Sequence, residues 1–177
     1  MASLRRGAAH RVDDTAMGED KTDVGVSLVV TTPDRLPELA SLIHDECFCL
    51  DEVKYDQEQR TLEIPYRRIF HDAPRRLIRN WLVYKVFEVD VRRAILTFHD
   101  VDGFEVSDGS HIGEYSFNDL AYDGPRSTLT VLCCEDCSLR LRVSGLLIET
   151  HDIETRGKAT ISYLFGVIES NSSRVYD

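Results

Sequence analysis

The stretch "DEVKYDQEQRTL" (51–62) returns as "NDLAYDGPRSTL" (118–129), with Tyr55, Asp56, Thr61 and Leu62 matched by Tyr122, Asp123, Thr128 and Leu129 at a constant offset of 67 positions. In each copy an alternating apolar run ends in Asp, a short polar segment follows, and Thr-Leu opens a second run. An Asp carboxylate hydrogen-bonds backbone N–H groups just ahead and starts a turn, whereas Thr and Leu favour extended chain. The frame therefore predicts a β-hairpin used twice, with Tyr55 on the packed face and Asp56 holding the turn. The match extends from 44–62 to 111–129 and pairs His44 with His111, Phe48 with Tyr115, Leu50 with Phe117 and Val53 with Leu120. The spacing of Phe48, Leu50 and Val53 breaks the period of two and predicts a bend or bulge after Leu50. "VDVRRAIL" (89–96) reads as a shorter hairpin of the same type, closed around Asp90 to Arg93.

Working outward, most of the chain is alternating runs separated by short turns. "NWLVYKVFEVDV" pairs with "RRAILTFHDV", and "YSFNDLAYD" with "STLTVLCC". "SLRLRVSG" alternates Leu139, Leu141 and Val143 with arginines, and "LLIETHDIE" with "KATISYLFGVIE" reads as a last hairpin. One helix is expected in "TPDRLPELASLIHDE", with Thr32 as N-cap and Pro33 at its first position, although Pro37 is awkward and shifts the start. Short connections favour antiparallel neighbours. The expected fold is α+β: a mostly antiparallel sheet, a meander of hairpins that can curve strongly, with one N-terminal helix.

The length of 177 residues fits one domain over 24–170, with a flexible polar extension at 1–23 and a frayed end at 171–177. A net charge of −10 opposes binding to nucleic acid and to anionic membranes. The first residues lack the apolar core of a secretory signal, and no apolar run approaches the ~20 residues of a membrane helix, so a cytoplasmic location is expected. Five cysteines in that setting read as reduced.

Three constellations could carry chemistry. Four histidines precede aspartate, namely His44-Asp45, His71-Asp72, His99-Asp100 and His151-Asp152. Imidazole and carboxylate together suit a metal or acid–base work, and His44, Asp45, His99 and Asp100 are the candidate ligands of a metal-dependent hydrolase. Adjacent strand residues point to opposite faces, so such dipeptides rarely give one ion two ligands. "CCEDC" (133–137) has C-x-x-C spacing but no second pair to complete a zinc site, and it reads as a hairpin turn. "HDVDGFEVSDG" (99–109) lacks the ligand spacing of a calcium loop and reads as a turn at Asp102-Gly103. No phosphate-cradling loop, nucleophile elbow or dinucleotide fingerprint is present, and no cofactor is expected.

The segment 67–93 stands apart, since Arg67, Arg68, Arg75, Arg76, Arg79, Lys85, Arg92 and Arg93 face only three acidic residues, a net of +5. With Trp81 among them, these arginines are the candidate partner-binding residues.

"LIHDECF", "LDEVKYDQEQRTLEIPY" and "YSFNDLAYDGPRSTLTV" together resemble small bacterial proteins of unknown function, some of them similar to immunity proteins of contact-dependent toxin systems. The residues carrying the resemblance are His44, Asp45, Tyr55, Asp56, Leu62, Tyr122 and Asp123, over about a third of the chain. The resemblance implies a β-rich protein that acts by binding. The reading from sequence is a non-enzymatic protein-binding module, with a metal-dependent hydrolase and a small-ligand binder in a curved sheet as alternatives.

Overall fold

The computed structural model describes residues 26–69, 75–164 and 167–172. The expected extension at 1–23, the His71-Asp72 dipeptide and residues 173–177 of the expected frayed end lie outside them. The strands are β1 (Ser27–Val30), β2 (Cys47–Cys49), β3 (Lys54–Asp56), β4 (Thr61–Ile69), β5 (Arg76–Asn80) and β6 (Tyr84–Phe98). They continue as β7 (Val101–Asp108), β8 (Glu114–Asp123), β9 (Thr128–Cys133), β10 (Cys137–Val143), β11 (Ile148–Leu164) and β12 (Val167–Ser172). A single helix, α1 (Leu36–Ile43), follows a 3-10 turn at Pro33–Arg35. Thr32 flanks that turn without a side-chain cap. Pro37 falls in the first turn of α1, where its missing N–H costs no hydrogen bond, so the helix starts later than Pro33. Leu36, Leu39, Ala40 and Ile43 form its buried stripe.

All described strands belong to one antiparallel sheet in the order β1-β11-β6-β4-β2-β8-β9-β10-β7, with β12 on β11, β3 on β4 and β5 on β6. The α+β class with one helix holds. Only β8-β9-β10 is a true meander, since β7 leaves β6 and joins the far end beside β10. That crossing requires the sheet to roll. At the seam the Val101 N–H donates to the Arg60 carbonyl at 2.8 Å, and the Tyr55 hydroxyl donates to the Val101 carbonyl at 3.1 Å. The Tyr55 ring meets Phe104 edge-on. The roll encloses the main core, with Phe48, Tyr66, Phe98, Tyr115 and Phe117 its largest fully buried side chains.

The two echoed hairpins have the same geometry. Tyr55 pairs with Leu62 and Asp56 with Thr61, as Tyr122 does with Leu129 and Asp123 with Thr128. Asp56 accepts the N–H of Gln59, and Asp123 accepts that of Arg126, its counterpart. Arg60 and Ser127 are both left-handed, at φ 55° and 50°, and each offers its carbonyl to a valine N–H, Val101 and Val143 respectively. The two valines are themselves partners. Between the hairpins Phe48 pairs with Tyr115, its own echo, flanked by Cys47 with Ser116 and Cys49 with Glu114. A local twofold axis therefore passes between β2 and β8. The expected bend after Leu50 is a 3-10 turn at Leu50–Glu52, and a register shift at 117–119 answers it in the second copy.

Three expected turns are absent. Asp90 to Arg93 lie inside the 15-residue strand β6, because β11 satisfies one edge of that stretch and β4 the other. The shorter hairpin at 89–96 is therefore not a third copy. "LLIETHDIE" and "KATISYLFGVIE" share the single strand β11, where Gly157 at φ 115° and two register shifts absorb the expected turn as bulges. The turn expected at Asp102-Gly103 falls at His99-Asp100, with Asp100 at φ 54°. Gly103 instead lies within β7, where a Cβ would meet only the mobile end of the Arg142 side chain.

Phe48 stacks on Phe117 at 4.6 Å between ring centres and is 1% exposed. Phe48→Ala should cost about 3–5 kcal/mol, read as a lower urea midpoint with unchanged slope.

Candidate functional site

The basic segment is divided by the geometry of its strands. Arg67-Arg68 in β4 and Arg92-Arg93 in β6 are adjacent pairs, so each sends one side chain outward and one into the roll. Arg68 and Arg92 point in, where Asp152 receives them at 3.5 and 3.7 Å and also accepts the Val26 N–H. The Asp152 side chain is 4% exposed. Beside them Tyr66 and Thr150 join hydroxyls at 2.8 Å. Outside, Arg67 pairs with Glu114 and Arg93 with Glu52. All four of these arginines form ion pairs within the fold.

The other four cations lie on a projecting wing. Past Val91, strand β6 leaves the main core and pairs with β5 on one side and β11 on the other, with β12 beyond. Val89, Val91, Ala159 and Ile161 form a small second core there, flanked by Ile69 and Tyr163. Trp81 and Tyr84 exchange backbone hydrogen bonds, so β5 turns into β6 across only Leu82 and Val83. Arg75 donates to the Tyr163 hydroxyl and lies over its ring, and Arg76 pairs with Glu88, which Lys158 also holds. Arg79 and Lys85 are exposed next to the turn. Leu77, Ile78, Leu82 and Val83 are exposed with them, and Trp81 is 65% exposed. Of the eight candidate binding residues, the structure brings Arg75, Arg76, Arg79 and Trp81 together and places Arg67, Arg68, Arg92 and Arg93 at the wing's base. The apolar tip was not anticipated from sequence. Its signal is the run Trp81-Leu82-Val83, three large apolar residues where strict alternation fails.

At that base lies an outer hollow of about 440 Å³, with Asp45, Glu114 and Glu135 at its rim and Ile69, Val91 and Ile112 as apolar walls. It adjoins one of about 280 Å³ that shares Cys47, Arg67 and Val91. Glu46, also unforeseen, closes the hollow from within. At 8% exposure its carboxyl takes the Ile69 N–H at 3.0 Å, a donor that β2 is too short to reach. Burial pushes its pKa up to about 8, against the pull of the Ile69 N–H and Arg68, so it is mostly neutral at pH 7.

Among the described residues the His-Asp pairs do not assemble. His44 contacts Asp45 at 3.1 Å after α1, while His99 faces Glu149 at 3.4 Å and Asp100 faces Arg60 at the β6–β7 corner. His151 is exposed although the Asp152 side chain is buried. Among the described residues no three His, Cys, Asp or Glu side chains group as a metal site would require. "CCEDC" forms the β9–β10 turn, as expected. Cys133 and Cys137 are buried, Cys47 and Cys49 half-buried and Cys134 exposed. Desolvation raises all five thiol pKa values, which leaves none poised as a thiolate. No helix among the described residues is long and apolar enough to cross a membrane. No known protein family, curated protein or solved structure matches the chain.

Two outcomes follow from the buried charges. Between pH 4.5 and about 8 the folded state holds a proton on Glu46 that the unfolded state has lost, so this group lowers stability as pH rises through that window. Glu46→Gln should be more stable than the native chain at pH 8 by up to about 4 kcal/mol and equal to it at pH 4, measured by urea titration at both. Asp152→Ala leaves two inward guanidinium groups without their carboxylate and should cost about 3 kcal/mol or more in the same assay.

Proposed function

We propose that this is a non-enzymatic binding protein, immunity-like in its mode of action, that grips a protein partner with the β5–β6 wing. The observation that carries the reading is the tip itself, where Leu77, Ile78, Trp81, Leu82 and Val83 stand exposed on one hairpin beside Arg75, Arg76, Arg79 and Lys85. A monomer gains nothing by exposing contiguous apolar side chains, and such patches mark interaction surfaces. Trp and Arg are the residues most often dominant in interfaces, because each buries a large area and still offers a polar edge. A partner with an apolar seat and an acidic rim matches the tip, and the cations would steer its approach.

A photo-crosslinking amino acid at position 82 should capture one discrete protein in cells. The adduct should disappear with Trp81→Ala, which removes an anchor worth about 2 kcal/mol, roughly thirtyfold in affinity. The same group at position 58, on the exposed β3–β4 turn, should capture none. Identical diffuse adducts from both positions would overturn the reading.

A further inference from the structure

The chain carries both halves of the contact that its wing requires. From Val91 at the wing's base to Tyr84 beside the tip, β6 spans eight residues, or about 23 Å of extended strand. The base holds the hollow lined by Asp45, Glu114 and Glu135 beside an apolar wall that includes Ile112, itself 58% exposed; Arg67 also lines it and is held by Glu114, which leaves the carboxylates in excess. The tip has the complementary arrangement, with Trp81, Leu82 and Val83 flanked by Arg79 and Lys85. Two wings laid antiparallel about a twofold axis place each tip at the other's base. Each copy supplies this tip and this hollow, so a twofold pair satisfies both and closes, whereas head-to-tail addition would leave one of each open.

Resting on the binding reading above, we propose that the wing's occupant is a second copy of this chain, each Trp81–Val83 tip seated in the acid-rimmed hollow of its partner. The pair buries the exposed apolar tip and brings a cationic end against an anionic one within a molecule of net charge −10. The contact weakens as salt rises, since its charges lie at the rim.

Charge reversal tests this with the full chain. The tip variant is Arg79→Glu with Lys85→Glu, and the hollow variant is Ile112→Lys with Glu135→Lys. If the latter fails to fold, Ile112→Lys alone, at an exposed side chain, replaces it in the self-association measurement, where it removes an apolar wall residue and adds a cation against Arg79 and Lys85, and the mixing arm is omitted. Sedimentation velocity at about 100 µM should show the native chain as a dimer. Each variant alone should self-associate at least tenfold more weakly, because its tip meets a hollow of like charge. An equimolar mixture should dimerise again, because both contacts in the mixed pair are then of opposite charge. The chain's single tryptophan gives a second readout, and its emission should shift to the blue with dimerisation in the native chain and in the mixture. A monomeric native chain, a dimer that persists in both variants, or a mixture that stays monomeric overturns the proposal. A monomer that still crosslinks one other protein from position 82 leaves the binding reading standing, whereas a monomer that crosslinks none removes both.

Discussion

Three residues form the strand that joins the two halves of this sheet. Among the described residues β2 is the only strand between β4 and β8, and it contributes Cys47–Cys49 alone. So short a ladder supplies few hydrogen bonds, and it holds because Phe48 at its centre is buried in the aromatic cluster of Tyr115 and Phe117, with Tyr66 edge-on to Phe117. Its shortness also shapes the surface. Where β2 ends, β4 and β8 diverge, Glu46 lends a carboxyl in place of the missing strand, and the outer hollow opens. A longer β2 would fill the gap and allow the carboxylate to return to solvent.

The sequence was legible wherever structure is decided locally. The repeated Asp-to-Thr frame gave both hairpins and the bend after Leu50, and the alternation of Leu139, Leu141 and Val143 gave β10. Reading failed where distant chain overrode local preference. Asp90 to Arg93 looks like a turn by composition, yet strands from both sides claim its backbone, and a stretch paired on both edges stays extended. The Thr-Arg-Gly run at 155–157 is a weak enough breaker that β11 bulges and continues.

The candidate site divides in the same way. That 67–93 is unusual was plain from charge alone, and the adjacent arginine pairs imply by strand parity that one of each must face inward. What sequence could not supply was the identity of the receiving carboxylate, Asp152, lying 84 residues from Arg68. Glu46 was hidden for a related reason. Its burial follows from where β2 stops relative to β4, and Asp45-Glu46 looks like any polar helix end.

The long strand β6 has a mechanical consequence. It runs without a break from the tip at Tyr84 to Phe98 in the main core, paired with β11 at both ends and through two bulges between them. A pull on the tip along the strand axis loads this ladder in shear, so many bonds must fail together. A sideways pull peels β5 from its edge a few bonds at a time. The wing is therefore stiff towards a load along its own length and compliant towards one across it, and whatever holds the tip is felt in the core through a single unbroken strand.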